Sequence, residues 1–591
     1  MMARTALVGA GTLLALLTPT LPGQTGPGSC PAPAASGMEG PRAEPAPAPA
    51  SSPDAEGFDK GEVQRLLEGL FPEPEGRPAP GGSVLVLLRG EVLAHRSYGL
   101  ASLEHAVPFT PHHVARLPYS EGREFLVVAS ALMEQDGLLR LDDPVRRYFP
   151  RLPTWSEPVT LLDLIHHRSG FVDEWSALLL MHGSMANRFD RSQFLRLLED
   201  QPEAEVEPGK GYMYSNSDYG LLRMALEAAS GEELGAYMER RLFGPLGMAS
   251  TRLQDDPMAV TPYFSSFYAP LPRGAFEHLR EVKTSPGGAY AVATTACDLA
   301  RWAQALSDPS TEAAAAVRRL TIDAPVLPGK DGHFAFGHTA LELQGTPVIR
   351  HEGVLEANYL TRIPERELAV ITFGNGYYEP WSHRAIVDHL LQVPPPDPPP
   401  PFRIPWAPAT GEDPATVGDP ARFAGLFISL GRPSWESHTE AREWVEFVEE
   451  EGRLVALFPF GRFPLLNVGD GVFQWHGEYG MQLEFGSGSP AESRELLIRY
   501  DDGYPEERFR RLEDWTPSPE ALERLAGTYH SPHLDYTWRL TPDGNGGLLR
   551  RAPTLADTVV EPWEEGEFFL RLEKFPGVPC PAWFRFHHGP E

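Results

Sequence analysis

The sequence predicts an α+β domain followed by two smaller all-β modules. Before residue 393, helical periodicities such as Phe58–Phe71 alternate with short apolar runs such as Ser83–Leu88 (SVLVLL). Residues Val393–Pro408 contain nine prolines, which is typical of a stiff linker. Beyond the linker the pattern changes to short strands and turns. We therefore expect a main domain at 58–392, a linker at 393–418, and modules at 419–515 and 516–591.

The first 57 residues predict export. Residues 1–25 carry Arg4, the apolar run Thr5–Leu17 and then prolines, which is the pattern of a signal peptide. The segment 26–57 is rich in Pro, Ala, Ser and Glu, a composition that forms a disordered stalk. Cys30 is the candidate for a lipid anchor, although Pro27 stands where a lipobox has leucine. We expect a periplasmic, cell-envelope or secreted protein that contacts a membrane only through a lipid on Cys30.

Composition excludes several classes of partner. The 591 residues carry a net charge of −30, which argues against nucleic acid or anionic lipid as a partner. Three scattered cysteines predict neither a disulfide framework nor a metal site, and Cys297 is interpreted as a packing residue. His112 and His113 have no carboxylate at metal-ligand spacing, so no zinc is expected. We expect no metal and no cofactor.

The two C-terminal modules share a short repeat. Residues 423–427 read FAGLF and residues 525–529 read LAGTY, and strand patterns follow each segment. A repeated segment before similar strand patterns predicts a duplicated antiparallel, barrel-like module.

Ser120 stands where an irregular segment becomes an amphipathic helix. The unpaired N–H groups and positive dipole at a helix N-terminus suit a nucleophile, because an oxyanion forming beside it would face backbone donors. The same position suits an ordinary N-cap serine, with Glu121 and Glu124 complementing the helix dipole. Ser120 alone favours the N-cap interpretation.

Three further motifs follow Ser120 in order: Tyr214-Ser215-Asn216, the turn Pro286-Gly287-Gly288, and His351 with Gly353. In this order, and with LLDLIHHRSGF and the closing FGN around them, they resemble the serine β-lactamase-related family. That family includes class C β-lactamases, D,D-peptidases, D-aminopeptidases and family VIII esterases. The resemblance covers about Phe58–Leu391. It implies the β-lactamase/penicillin-binding-protein-like transpeptidase fold, an antiparallel sheet with helices plus a helical subdomain. The C-terminal modules resemble barrel domains of some D-aminopeptidase-like members.

The resemblance also implies a chemistry and a set of site residues. The family transfers acyl groups through a serine ester, with the lysine of a Ser-x-x-Lys motif and a tyrosine handling the protons. Ser120 would be the nucleophile, Tyr214 a proton shuttle and Asn216 a partner for the substrate amide. His351 would replace the lysine of a Lys-Thr-Gly motif, followed by Gly353, and the N–H groups of Ser120 and Val354 would form the oxyanion hole. The implied ligands are small peptides, esters or β-lactams.

The sequence departs from the family at the base. Arg123, three residues after Ser120, stands where the family has lysine, and an arginine is effectively never deprotonated. Counting forward from Ala115 instead would place Tyr119 and Gly122 at the motif. Neither alignment supplies the lysine.

Three interpretations of Arg123 stay open. The chain is a non-catalytic relative that keeps the fold and a ligand groove, or it hydrolyses with Tyr214 as a base assisted by the Arg123 charge. In the third, Arg123 pairs with Glu121 or Glu124 on a solvated helix face. His166 and His167 are interpreted as structural. Two functions follow: a serine hydrolase, impaired because Arg123 replaces the lysine, or an inactive cell-envelope binding or scaffold protein.

Overall fold

The structure is a computed structural model. In the main domain it describes residues 58–74, 78–117, 120–174, 177, 190–210, 212–253, 260–271, 275–278, 292–322, 332–335, 338–343, 345–352, 358–376 and 380–393. Beyond it, it describes residues 420–429, 444–450, 453–458, 461–469, 471–475, 481–486, 495–500, 507–511, 518–531, 536–545, 547–551, 558–564, 567–570, 573–575, 578–579 and 582–585. The predicted signal peptide (1–25), the stalk (26–57) with Cys30, and nearly all of the linker lie outside these residues.

The α-helices of the described residues are, in chain order, α1 (Lys60–Leu70), α2 (Ser120–Gln135), α3 (Leu161–Ile165), α4 (Arg191–Glu199), α5 (Asn216–Ser230), α6 (Leu234–Met238), α7 (Ala296–Ser307), α8 (Glu312–Ile322), α9 (Pro380–Leu390) and α10 (Pro519–Leu525). Single helical turns of other types occur at Val145–Arg147, Thr154–Ser156, Glu239–Phe243, Pro364–Arg366 and Pro420–Phe423.

The strands of the main domain are β1 (Gly82–Leu88), β2 (Glu91–Tyr98), β3 (Leu100–Ser102), β4 (Val107–Pro108), β5 (Ala115–Leu117), β6 (Arg252–Leu253), β7 (Tyr268–Leu271), β8 (Ala275–His278), β9 (Val292–Thr294), β10 (Gly332–Ala335), β11 (His338–Leu343), β12 (Thr346–Glu352), β13 (Tyr359–Ile363) and β14 (Leu368–Gly374). Seven of them form one antiparallel sheet in the order β10-β11-β12-β13-β14-β1-β2. β5, β9 and β6 form a second, three-stranded sheet.

Helices cover both faces of the seven-stranded sheet. Alternate residues of β1 point to opposite faces: Val84 packs with α1 and α9, whereas Leu85 joins the large core around α2. Both are fully buried, which explains why this strand is a continuous apolar run rather than an alternating one. The predicted antiparallel sheet flanked by helices is thereby confirmed.

Helix α6 ends at Met238, and the chain continues as a π-turn over Glu239–Phe243. One local expectation needs correction. Cys297 is buried in α7, but it takes part in a disulfide, so its interpretation as a packing residue alone was wrong.

The C-terminal region is antiparallel, as predicted. Its strands are β15 (Gly425–Ser429), β16 (Trp444–Glu450), β17 (Arg453–Phe458), β18 (Gly461–Pro464), β19 (Leu466–Gly469), β20 (Val472–Trp475), β21 (Met481–Phe485), β22 (Glu495–Tyr500), β23 (Glu507–Arg511), β24 (Gly527–Ser531), β25 (Tyr536–Pro542), β26 (Leu548–Arg551), β27 (Thr558–Glu564), β28 (Glu567–Leu570), β29 (Glu573–Phe575), β30 (Val578–Pro579) and β31 (Ala582–Arg585). They build a nine-stranded sheet, a six-stranded sheet and a two-stranded ladder.

The short repeat has the same structural place in both modules. In each, a short helical segment ends just before a strand that starts at the repeated glycine, Gly425 in β15 and Gly527 in β24. Each of these strands then pairs with the next strand in antiparallel register. The closure of either sheet into a barrel stays a prediction.

Among the residues that the structure describes, no helix is long and apolar enough to span a membrane.

The closing FGN motif ties the end of β14 to the residues just before β1 and just after β2. Asn375 is 1% exposed, and its Oδ1 accepts a hydrogen bond from the Gly81 N–H at 2.8 Å. Its Nδ2 donates to the carbonyls of Leu100 and Ala101, both at 3.1 Å. One amide side chain therefore satisfies three backbone groups.

We predict that Asn375→Ala destabilises the main domain by about 2–3 kcal/mol, because buried backbone groups lose their partners. Denaturant unfolding followed by tryptophan fluorescence measures this loss. Glu157→Ala, which removes an exposed ion pair with Arg146, is the control, and its expected effect is below about 1 kcal/mol. Equal effects of the two substitutions would contradict the prediction.

Candidate active site

Helix α2 is the element that positions the site. From Gly122 to Met133 each of its residues is buried, so the helix lies inside the large core. A helix buried on all sides has no solvated face on which to place a charge. The two ionisable residues within this buried stretch, Arg123 and Glu124, are therefore held between neighbouring elements, at 0% and 1% exposure. The expectation that Arg123 pairs with Glu121 or Glu124 on a solvated face is wrong.

Arg123 contacts the predicted Tyr-Ser-Asn motif. Its NH2 group donates to the Tyr214 hydroxyl at 2.6 Å and to Asn216 Oδ1 at 2.8 Å. The guanidinium carbon also lies 4.6 Å from the ring centre of Tyr214 and 4.8 Å from that of Tyr219. Two hydrogen bonds and two aromatic faces stabilise a cation that has no access to water.

The start of α5 holds Asn216 in place. Asp173 Oδ1 accepts from the Asn216 backbone N–H at 2.8 Å and from its Nδ2 at 2.7 Å. A carboxylate at a helix N-terminus satisfies unpaired N–H groups and opposes the positive dipole end. The Asn216 amide is thus fixed on both sides, by Asp173 at its nitrogen and by Arg123 at its oxygen.

His167 connects Arg123 to a second buried carboxyl. Its Nε2 lies 3.5 Å from Arg123 Nη1, and its Nδ1 lies 3.2 Å from Asp218 Oδ2. The Ser215 backbone N–H also donates to Nδ1, at 3.3 Å. The backbone of His167 is left-handed, with φ of +52°, a conformation uncommon outside glycine. The structural role expected for His167 stays a prediction.

Burial controls the titration of this cluster. It raises the pKa of Asp218 well above its usual value, against the opposing effects of the Ser169 hydrogen bond and the Arg123 charge. Burial also raises the pKa of Tyr219, whose hydroxyl donates to the Ile165 carbonyl at 2.9 Å. Tyr219 is thus a neutral phenol beside Arg123.

Glu124 faces the opposite wall of the site. Its Oε1 accepts from Arg362 NH2 on β13 at 3.2 Å, and its Oε2 accepts from Trp302 Nε1 on α7 at 2.9 Å. His351 Nδ1, on β12, lies 3.4 Å from the same Oε2. Burial lowers the pKa of Arg362 and the Glu124 charge opposes that shift. Consecutive residues of α2 therefore hold two separate polar clusters.

A small cavity adjoins the Glu124 cluster between α2, α7 and the sheet. Polar groups of Glu124, His351 and Asn358 share its wall with Phe125, Leu299 and Trp302, among others. In the described part of the chain, no three or more His, Cys, Asp or Glu side chains are grouped so that they could hold a metal ion.

The predicted site residues fall into three groups. Arg123, Tyr214 and Asn216 are brought together, which favours the alignment with Ser120 and Arg123 at the motif. His351 is joined instead to Glu124. Ser120 is the first residue of α2, but its side chain lies outside the described part of the structure. So do Gly353, Val354, Tyr119 and the turn Pro286-Gly287-Gly288.

Sequence reasoning missed the roles of Glu124, Asp173, Asp218, Trp302 and Arg362. Asp173 and Asp218 lie within two residues of recognised motifs, and this closeness in sequence could have indicated that they support the site. The sequence indicates Glu124 only as a complement to the helix dipole or as a partner of Arg123 on a solvated helix face. Its partners Trp302 and Arg362 are more than 170 residues away in sequence, and no local pattern connects them.

Comparison with known proteins identifies the class of this site. The β-lactamase family model matches residues 68–393, more than half of the chain, so the chain belongs to the β-lactamase family. The family assignment confirms the resemblance found in the sequence, including the penicillin-binding-protein-like fold.

Two relatives illustrate the similarity. A D-aminopeptidase of Gluconobacter oxydans is 25% identical over 314 residues, which cover 53% of this chain and 58% of the relative. Penicillin-binding protein 4* of Bacillus subtilis is 28% identical over 194 residues, which cover 33% and 42%. The chain thus spans about half the length of the curated relatives it matches.

Among solved structures, the octameric penicillin-binding protein homologue from Pyrococcus abyssi has a TM-score of 0.50 and 17% identity. The match covers 77% of this chain and 100% of that chain, and at this identity it shows the fold alone.

We predict that Asp218→Asn removes a pH dependence of stability. Between the unfolded pKa of a carboxyl, about 4, and its raised folded value, the folded state binds more protons than the unfolded chain. The stability of the wild type relative to Asp218→Asn should therefore fall as pH rises from about 5 to 8, by at most about 1.4 kcal/mol per pH unit. Unfolding curves at several pH values measure this difference.

Asp142→Asn is the control for this measurement. Its hydrogen bond with Arg140 lowers the pKa of Asp142, so its contribution is present above the unfolded pKa and is lost only at lower pH. The stability of the wild type relative to Asp142→Asn should not change with pH over the same range. If the stability of the wild type relative to Asp218→Asn does not change either, the Asp218 carboxyl has the same pKa in the folded and unfolded states.

Proposed function

We propose that this protein is a serine acyl-transfer hydrolase of the β-lactamase family that works without the usual lysine base. Ser120 would be the nucleophile, and the substrates would be amide or ester bonds of small peptides, esters or β-lactams. The observation that carries the proposal is the position of Arg123, which contacts Tyr214 and Asn216 from one turn after Ser120. Arg123 stands at the position of the motif's base, and it is a permanent cation.

The arginine changes what the cluster can do. A guanidinium cannot accept the serine proton, so the family's serine–lysine step is lost. Its charge still favours an anionic oxygen at Tyr214, to which it donates at 2.6 Å. We therefore expect acylation to be slower than in a lysine-containing enzyme.

The substrate class comes from the relatives and from the chemistry of the motif. Relatives over the main domain are named D-aminopeptidase or penicillin-binding protein, names that point to peptides and to penicillins. Export, a cell-envelope location and a lipid on Cys30 are part of the proposal and derive from the N-terminal sequence. Such a location would fit peptide substrates of the envelope.

A second candidate function is a catalytically inactive binding or scaffold protein. One observation favours it: the groups that the family turns toward substrate are engaged inside the protein. The Asn216 amide is held by Arg123 and Asp173, and the Tyr214 hydroxyl accepts from Arg123 and donates to Asn216 Oδ1 at 3.2 Å. A ligand would then meet a rigid surface rather than a proton relay.

We predict that Arg123→Lys raises the rate of serine acylation by roughly 10²-fold, because it restores a group able to accept the proton. The wild type and the variant are treated with a fluorophosphonate, and intact mass together with peptide mapping locates the adduct. Ser120→Ala is the matched control in both backgrounds and should lose the adduct.

The outcomes separate the two functions. Slow labelling of wild-type Ser120 and faster labelling of the folded Arg123→Lys variant support the hydrolase. If neither labels and a penicillin raises the melting temperature of the wild type, the binding protein is correct. If Arg123→Lys is folded and labels no faster than the wild type, the missing lysine does not limit the reaction and the proposal is wrong on that point.

A further inference from the structure

We propose that the turn Thr110–His113 is an acid-sensitive latch at the entry to α2, which opens when His113 is protonated. The turn precedes β5, and β5 leads to Ser120, the first residue of α2. The observation behind the proposal is a hydrogen bond from the Thr110 backbone N–H to His113 Nδ1, at 3.0 Å. The latch would respond to pH whether or not Ser120 reacts with a substrate.

This hydrogen bond requires a neutral imidazole. A backbone N–H can only donate, so Nδ1 must offer its lone pair, and the ring hydrogen of neutral His113 is on Nε2. The Thr110 hydroxyl lies 2.9 Å from the same Nδ1 and can donate to it as well. An imidazolium carries hydrogens on both nitrogens and accepts nothing. Protonation of His113 therefore replaces an attraction at Nδ1 by a contact between two N–H groups.

The same two residues are joined a second time. The His113 backbone N–H donates to the Thr110 carbonyl at 3.0 Å, so residues 110 and 113 form a reciprocal pair of hydrogen bonds. A capping box is similar, because there too a side chain accepts from the backbone N–H three residues earlier. Loss of the Nδ1 bond leaves the Thr110 N–H without this acceptor, which destabilises the closed turn.

Backbone hydrogen bonds join the latch to its neighbours. The Cys297 N–H of α7 donates to the Pro111 carbonyl at 3.3 Å, and the Val114 N–H donates to the Tyr263 carbonyl at 2.9 Å. The next residues form β5, which pairs with β9. Opening of the turn therefore loosens the segment that leads into α2.

The charges that act on the latch are cationic. The His113 ring packs against the buried Phe109 ring, with 5.4 Å between their centres. Burial lowers the pKa of His113, and the neighbouring His112 lowers it further. On β2, burial also lowers the pKa of His95, and the charges of His112 and Arg96 act in the same direction. As the pH falls, the three histidines would gather positive charge together.

The other elements that contact the latch bring further ionisable groups. In α7, Cys297 is held in a disulfide and does not titrate, and Asp298 is paired with Arg301 at 2.6 Å. The second Asp298 oxygen accepts from the backbone of residue 250 and the hydroxyl of residue 251. Residues 261–265 bring the exposed phenol of Tyr263, and β5 brings the cation Arg116. Among these described neighbours the one carboxyl group, Asp298, is thus engaged elsewhere.

The test is hydrogen exchange of the full chain, followed by mass spectrometry at about pH 8, 6.5 and 5 and corrected for intrinsic exchange. A peptide covering residues 109–117 reports on the latch, and a peptide covering α1 is the reference. Because the closed turn lowers the pKa of His113, it binds fewer protons than the open turn, so acid favours opening. We expect the wild-type 109–117 peptide to lose protection at least about 5-fold between pH 8 and pH 5. One histidine with an unfolded pKa of about 6.5 limits this loss to about 30-fold.

His113→Asn is the decisive variant, since its Oδ1 takes the place of Nδ1 as an acceptor that is not protonated in this range. We expect its protection at 109–117 to change less than about 2-fold. His105→Asn, which replaces an exposed histidine before β4, is the matched control and should respond as the wild type does.

Three outcomes would overturn the proposal. They are an equal loss in the wild type and in His113→Asn, no loss in the wild type, and a wild-type loss as large in α1 as in 109–117. The last would show global acid unfolding rather than opening of the turn. Should His113→Asn fail to fold, this comparison of the two wild-type peptides decides the question, and a loss confined to 109–117 supports the latch.

Discussion

A guanidinium with no access to water must be surrounded by acceptors and aromatic faces, and Arg123 imposes this requirement on the site. Tyr214 and Asn216 accept its hydrogen bonds, and the rings of Tyr214 and Tyr219 cover its faces. A lysine ammonium is a compact point charge and does not need this flat enclosure. The residues around position 123 are therefore fitted to an arginine, and the exchange from lysine has consequences beyond the loss of a base.

Two interactions that support the site involve no contact with that cation. Asp173 binds the start of α5 through the backbone and side chain of Asn216, and Asn375 joins the end of β14 to the residue before β1. Neither interaction involves position 123. This independence explains how the family fold persists in a chain whose Ser-x-x-Lys motif has changed, and why fold similarity alone does not decide activity.

Local sequence patterns predicted what depends on local chemistry. The apolar run SVLVLL predicted β1, and the ordered motifs predicted the family fold, whereas the contacts of Arg123 with Tyr214 and Asn216 decide among interpretations that the sequence leaves open. Sequence reasoning failed where distant elements meet. The burial of Glu124 depends on Trp302 and Arg362, and an acidic residue near a helix N-terminus is more often a solvated complement to the dipole. The disulfide of Cys297 is likewise a tertiary pairing that scattered cysteines do not reveal.

Helix α2 carries two adjacent residues of opposite charge inside the core, and each of them has its own partners. Arg123 is matched by the phenol and amide on one wall, and Glu124 by Arg362 on the other. Removing one partner of a buried ion pair leaves an uncompensated charge, which typically costs about 3–5 kcal/mol. Each of the two residues therefore depends on its own partners, and α2 carries both charges inside the core because neighbouring elements supply the matching groups.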